Sequence, residues 1–479
     1  MAEASPQPPN ASERPRPWGL KWRSSIWFIT LGVTTDLLVY SLIVPIIPFQ
    51  LESLGYTGVS GLVGWLLFAY SAGIVVFTPP TAHLSEKYNN RQIPLIVGLV
   101  ALIGAQIMFM LAPAYWLMVI ARLLQGLSST VVWVAGLALL CDTVPESSIG
   151  KQLGIAMSGL SLGFLLGPPV AGALYDKFGF HGPFIFGIIV TAVDLIGRFL
   201  IIERKHAIQW GVDPAAPVPR RADPEVNAPP EPSSTPANNP APASQAAQVH
   251  ISLWAVLVKL VRSTRADFVL LCTLCYAWII ASQEPALPLH LQDVWHFNPS
   301  KVGLVYIAAV VPTLFSSALT GYFVDKFGTG PITVVALVFS LPWLIVLIVQ
   351  SSLPLFIVVF ALANFGVAGT VSPLTAELAA VTRQLPGVGY AHVYGAFNVA
   401  YGIGSALGPI IGGQLYDHVS RGWMAICLFG AASGLIAIVL AFLSFGEVSL
   451  YAQLRNRFRQ SRRESVTKNE PPTANKSTA

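Results

Sequence analysis

Three ionisable side chains stand where an apolar run should hold none. Asp36 lies in "TTDLLVYSLIVPIIP" (Thr34 to Pro48), Arg122 in "ARLLQG" (Ala121 to Gly126) and Glu284 in "QEPALPLHL" (Gln283 to Leu291). A charge at the centre of a bilayer costs about 2.5–3.5 kcal/mol, so each must face a polar cavity or a partner. Asp36 is ten residues past Ile26, or about 15 Å into a helix and close to the membrane centre. Glu284 is sixteen residues past Phe268, or about 24 Å in, and Pro285 and Pro288 loosen the helix beside it and free carbonyls. A carboxylate so placed can bind solute or carry a proton; the alternative for each is local hydrogen bonding that fixes packing. Arg122 sits about two turns inside the outer end of its helix. It needs a carboxylate or carbonyl partner, in proton coupling or in a structural ion pair.

Other groups offer weaker chemistry. Asp194 and Arg198, four residues apart, predict a helix-surface salt bridge near the cytosolic end, which can also act as a gate. Glu377 falls at the inner end of its helix and predicts a gate or cap paired with Arg383. His290 and His296 lie near the outer mouth, within the titration range of histidine. Tyr70, Tyr276, Trp278, Phe315, Asn398 and Tyr401 are candidates to line an aromatic pocket, with packing as the alternative for each. Cys272 and Cys275 have CxxC spacing but sit one helical turn apart in an apolar run, where they read as small packing residues. No metal cluster, catalytic triad or phosphate loop is recognisable, so no enzyme activity and no cofactor are expected.

The elements that must hold these residues are membrane helices. The chain has 479 residues, 54% hydrophobic and 11% charged, against about 25% charged in soluble domains. Crossing the hydrocarbon core takes about 20 apolar residues. Twelve such runs are readable: 26–49, 61–82, 93–112, 115–140, 151–174, 184–202, 268–291, 302–324, 332–350, 354–378, 388–415 and 423–445. With the N-terminus in the cytosol, only Lys177, Lys301 and Arg421 fall outside, and 24 of the 28 Lys and Arg fall inside. The first 25 residues are polar and Pro-rich, with no cleavable signal. The predicted organisation is a disordered cytosolic tail (1–25), a six-helix half (26–202), a disordered linker rich in Pro, Ala, Ser and Asn (203–250), an interfacial helix (251–266), a second six-helix half (267–445) and a basic disordered cytosolic tail (446–479).

The halves repeat each other. Gly154, Gly163, Gly167, Pro168, Gly172 and Asp176 recur as Gly395, Gly404, Gly408, Pro409, Gly413 and Asp417, each shifted by 241. Glu86 and Lys87 recur as Asp325 and Lys326, shifted by 239. This is the parallel duplication of many alternating-access carriers. The glycines allow close helix approach, and the prolines bend the helix, so these segments are expected to pack across the halves and hinge.

These motifs resemble the major facilitator superfamily. "GIAMSGLSLGFLLGPPVAG" (Gly154 to Gly172) is similar to its antiporter motif, "ARLLQG" to its fourth-helix motif, and "AHLSEKYNNRQ" (Ala82 to Gln92), which contains Arg91, to its cytosolic gating loop. The resemblance narrows, through "DLLVYSLIVPIIP", "QEPALPLHL" and "DLIGR" (Asp194 to Arg198), to the drug:proton antiporter and vesicular amine transporter branch, in a fungal form. Asn398 stands where that branch places an aspartate, and the second helix holds no Lys or Arg. The resemblance implies an all-α protein of twelve transmembrane helices that exports or sequesters a small organic molecule by proton antiport. Its only partners would be that solute and the bilayer, and it would act as a monomer in the plasma membrane rather than a vacuolar or vesicular one. An uncoupled facilitator or importer and a transporter-like receptor are the alternatives.

Overall fold

In a bilayer each backbone polar group must bond within its own segment, so apolar runs of this length can only be helical. The computed structural model is all-α throughout its described residues, which are 27–88, 92–143, 149–200, 208, 210, 263–383, 390–446 and 449–468. The first half contains α1 (Trp27–Ile43), α2 (Ile47–Ser53), α3 (Val59–Tyr88), α4 (Gln92–Met110), α5 (Tyr115–Thr143), α6 (Ile149–Phe178) and α7 (His181–Leu200). The second contains α8 (Thr264–Ala281), α9 (Leu287–Trp295), α10 (Pro299–Phe327), α11 (Thr329–Val346), α12 (Leu353–Ala368), α13 (Val371–Arg383), α14 (Tyr390–His418) and α15 (Gly422–Ser444), followed by α16 (Leu450–Lys468). Among the described residues, ten segments are long and apolar enough to cross a membrane. The Gly-Pro helices α6 and α14, of 30 and 29 residues, are packed among them. We call the end of the bundle that carries the loops α2–α3, α4–α5 and α6–α7 the far end, and the opposite one the near end.

Three of the expected spans are broken. The first divides at Val44–Ile46 and the seventh at Ser282–Ala286. Pro45 and Pro48 recur as Pro285 and Pro288, shifted by 240, and each pair removes N–H donors at the same place in its half. The tenth divides at Gly369–Thr370. The basic tail, expected to be disordered, is helical over Leu450–Lys468. Leu, Ala, Gln and Arg favour helix there, and Glu464 precedes Lys468 by four residues. The N-terminal tail, nearly all of the linker, the greater part of the expected interfacial helix and Arg91 lie outside the described residues, as do the surroundings of Gly154 and of the Glu86 and Lys87 side chains.

The glycines act first within each half. A Cβ on Gly163 would lie 2.8 Å from the Leu37 Cβ of α1, and one on Gly404 would lie 2.6 Å from the Leu274 carbonyl of α8. Gly167 sits against Ser41, whose hydroxyl donates to the Gly163 carbonyl at 3.0 Å, and Gly408 sits against Ala281 and Ser282. Their far halves also cross between halves: Pro168 and Gly172 of α6 meet α10, and Pro409 and Gly413 of α14 meet α3, as does Gly402, where a Cβ would lie 3.0 Å from Val75 Cγ2. The glycine helices thus pack both within their own half and, from Gly402 onward on α14 and over the last turns of α6, across the halves. The lipid-facing surface follows the helical period. On α7, Ile185, Ile189, Val193 and Ile196 are exposed, while Thr191, Asp194 and Arg198 are buried.

Candidate functional site

Asp36, Arg122 and Glu284 converge where α1, α3 and α5 of the first half meet the break between α8 and α9 of the second. Asp36 and Tyr40 are one turn apart on α1. Arg122, Gln125, Ser129 and Trp133 follow at spacings of three, four and four along one face of α5. Asp36 is 2% exposed; its Oδ2 accepts from Ser129 Oγ at 2.6 Å and from Trp133 Nε1 at 2.9 Å. Ser129 Oγ in turn accepts from Tyr70 OH at 2.9 Å. Both bonds to the carboxylate are charge-assisted, which offsets part of the cost of burying it.

Glu284 is held from the other half. Tyr40 OH donates to its Oε2 at 2.7 Å, a bond that crosses the interface between halves. Arg122 lies between these two networks. Its guanidinium is 5.3 Å from the Tyr40 ring centroid and 5.2 Å from that of Tyr70, and the two rings are 4.7 Å apart. Desolvated cation–π contacts of this kind contribute about 2 kcal/mol. Nη1 donates to Gln125 Oε1 at 3.0 Å, while Nε, Nη2 and Gln125 Nε2 have no hydrogen-bond partner among the described residues. Of the two partners expected for Arg122, a carboxylate or a carbonyl, the second is present as the side-chain carbonyl of Gln125, with two ring faces beside it. The result is a chain from Asp36 through Ser129 and Tyr70, past Arg122, to Tyr40 and Glu284. The Tyr306 and Tyr401 hydroxyls lie within electrostatic reach of Glu284.

The cluster contains Asp36, Glu284, Arg122 and Tyr70, with Tyr401 at its edge. Tyr401 stacks on Phe397 at 6.4 Å and meets Tyr276 at 6.0 Å. Asn398 is exposed and takes no part in it. Trp278 packs on Phe429, and Phe315 is 66% exposed and stands apart from the cluster. Tyr40, Gln125, Ser129, Trp133 and Tyr306 were not anticipated. Their signal was helical spacing: Tyr40 one turn from Asp36, Ser129 and Trp133 two and three turns from Arg122.

The remaining candidates are placed elsewhere. Asp194 and Arg198 pair at 3.4 Å, but the pair is buried rather than on the helix surface, with Arg198 filling the space left by Gly32 of α1. Glu377 is buried and accepts from Arg265 Nε at 2.6 Å, from Gly446 N at 2.9 Å and from Thr329 Oγ1. It therefore joins the starts of α8 and α11 to the end of α15. Its pairing with Arg383 lies outside the described side chains. Asp325 and Lys326 are exposed at the near end of α10, where Lys326 lies over Phe327. His290, expected at an open mouth, is 2% exposed and stacks on Trp423 at 4.3 Å; His296 is exposed. Cys272, Cys275 and Cys427 are free and buried. Among the described residues no group of acidic, His and Cys side chains is arranged to hold a metal ion.

Known proteins resemble this chain over nearly all its length. The MFS-type transporter ppzB of Metarhizium rileyi is 29% identical over 471 residues, covering 90% of this chain and 97% of the relative. The synaptic vesicular amine transporter of Rattus norvegicus is 24% identical, covering 79% of this chain and 65% of the rat protein. Among solved structures, a bacterial homologue of the human lysosomal transporter Spinster, in an inward-facing and unoccupied conformation, superposes with a TM-score of 0.65 at 13% identity, covering 89% and 98% of the two chains. The human organic anion transporter TETRAN gives 0.60 at 18% identity, covering 88% and 99%. The sequence model of the Major Facilitator Superfamily matches residues 29–264 and 269–476, and with the duplicated helical halves this span establishes that the chain belongs to that superfamily.

Proposed function

We propose that this membrane transporter exports or sequesters a small organic molecule in exchange for protons, by alternating access through twelve crossings with both termini in the cytosol. The observation that carries the reading is the placing of one carboxylate in each half, Asp36 and Glu284, joined across the interface by the tyrosine–arginine–tyrosine stack. Glu284 is bonded to the opposite half and Asp36 only within its own. Protonating Glu284 removes the charge from the acceptor of the Tyr40 bond and loosens a charge-assisted tie between the halves. Asp36 then serves the solute, and Glu284 reports the proton to the packing of the halves.

The same groups define the cargo. Tyr40, Tyr70, Trp133 and Tyr401 offer ring faces for an aromatic or cationic molecule. Arg122 Nε and Nη2 call for an oxygen acceptor once Tyr40 turns away from Glu284. An amphipathic aromatic solute with at least one such oxygen fits both. Relatives named as vesicular amine and MFS-type transporters support an organic cargo, and we place the protein at the plasma membrane.

The test is accumulation of a panel of cationic and neutral aromatic compounds in cells with and without the protein. We expect at least one compound to be held below its equilibrium level by the wild type and not by Asp36→Asn. Equilibration without net extrusion of any compound supports an uncoupled facilitator instead, and binding without flux supports a receptor.

A further inference from the structure

At the far end the halves are joined by two carboxylates that no part of the central site uses. Asp176 ends α6 and Asp417 ends α14, related by the same shift of 241 as the glycines that precede them. Each reaches the first turn of the helix facing it from the other half. Asp417 Oδ2 accepts the Gly61 N–H of α3 at 2.6 Å. This N–H belongs to the first turn, whose donors have no partner within the helix. Asp176 Oδ2 accepts from Asn298 Nδ2 at 2.7 Å, while the Asn298 oxygen caps α10 by accepting from Lys301 N at 3.1 Å. A carboxylate at a helix N-terminus also interacts favourably with the helix dipole.

The backbones around these contacts touch. A Cβ on Gly172 would lie 2.7 Å from Ser300 Cα, and one on Gly413 would lie 2.9 Å from Gly61 Cα. On the reciprocal side, a Cβ on Gly303 would lie 2.8 Å from the Pro168 carbonyl carbon, and one on Gly64 would lie 3.0 Å from that of Pro409. A third bond, Gln292 Nε2 to Glu52 Oε2 at 2.9 Å, ties α9 to α2 beside them. The glycines bring the helices together, and the acids bond the helix starts they meet.

We infer that Asp176 and Asp417 form a two-fold-related latch that holds the far end shut, each closing on the start of the opposing half's helix, and that both bonds break each time the cavity opens to that side. Because it concerns which side is open, the inference rests on the alternating-access reading above. The halves cannot separate at this end while the bonds stand, since each bond has one partner in each half. A charge-assisted bond lost from such a place shifts the open-to-closed ratio about tenfold.

The test uses the full chain with its cysteines replaced and nitroxide labels at Leu111→Cys and Val349→Cys. These residues are exposed, lie in equivalent far-end loops of the two halves, and are outside the latch. Electron–electron double resonance in nanodiscs then reads the far-end distance without any solute. The wild type should populate mainly the short distance. Asp176→Ala and Asp417→Ala should each raise the long-to-short ratio about tenfold, and the double variant more. Asp417→Asn keeps an oxygen acceptor for Gly61 and should fall between wild type and Asp417→Ala. A double variant with the wild-type distribution overturns the latch, whatever its transport. A shifted distribution in protein that shows no proton coupling supports the latch and counts against the exchange reading alone.

Discussion

At the residue scale the central question is why Tyr40 and Tyr70 enclose Arg122. A guanidinium in the membrane needs polar or polarisable partners, and here it has the Gln125 oxygen and two rings at about equal distance. Lysine is therefore a poor substitute: it lacks the planar stacking surface and is more strongly hydrated. Arg122→Lys should lower transport at least tenfold while leaving monodisperse protein, measured as initial flux in proteoliposomes. Tyr40→Phe keeps the ring and removes only the bond to Glu284. It should slow flux about tenfold with solute affinity within about twofold, measured by equilibrium binding beside flux. Equal losses in both would place the Tyr40 hydroxyl against the solute instead of Glu284. Asp36, Arg122 and Glu284 were legible in the sequence because a charge interrupting an apolar run is costly. The partners of Arg122 were not, because a tyrosine in a membrane helix carries no such mark.

At the scale of elements, the sequence and the structure differ most at the breaks. Hydropathy draws single helices over 26–49 and 268–291 because proline scarcely lowers the apolar score. The backbone divides at Val44–Ile46 and Ser282–Ala286, where proline withholds its donor. The repeat of Pro45 and Pro48 as Pro285 and Pro288 was present in the chain all along as a third duplicated feature. Likewise, the i,i+4 spacing of Asp194 and Arg198 predicted the pair but not its burial. In a membrane helix both the lipid face and the bundle face are apolar, so hydropathy cannot assign the side. Glu377 illustrates the energetics of such burial. Removing Arg265 leaves a carboxylate in the bundle with two uncharged donors, and breaking a buried ion pair costs about 3–5 kcal/mol. Arg265→Ala should lower Tm in detergent clearly, and Glu377→Gln with Arg265→Ala should recover part of the loss. An unchanged Tm in Arg265→Ala would show that the near-end junction does not depend on this pair.

At the scale of the whole molecule, duplication organises the protein. Each half supplies a broken helix, a Gly-Pro helix packed on it and a carboxylate at the far end, but only the second half's break carries Glu284 and only the first half's opening helix carries Asp36. The framework is symmetric and the chemistry is not, so a proton at one half can act on the contact between the two. The measurement that tests this most directly is proton movement coupled to solute in proteoliposomes, read by a lumenal pH dye. A solute identified in the efflux screen, added outside wild-type vesicles, should move inward as protons move outward, so that lumenal pH rises. Glu284→Gln should still bind the solute and give no pH change. Wild-type solute flux with no pH change, and no response to an imposed pH gradient, would contradict the account.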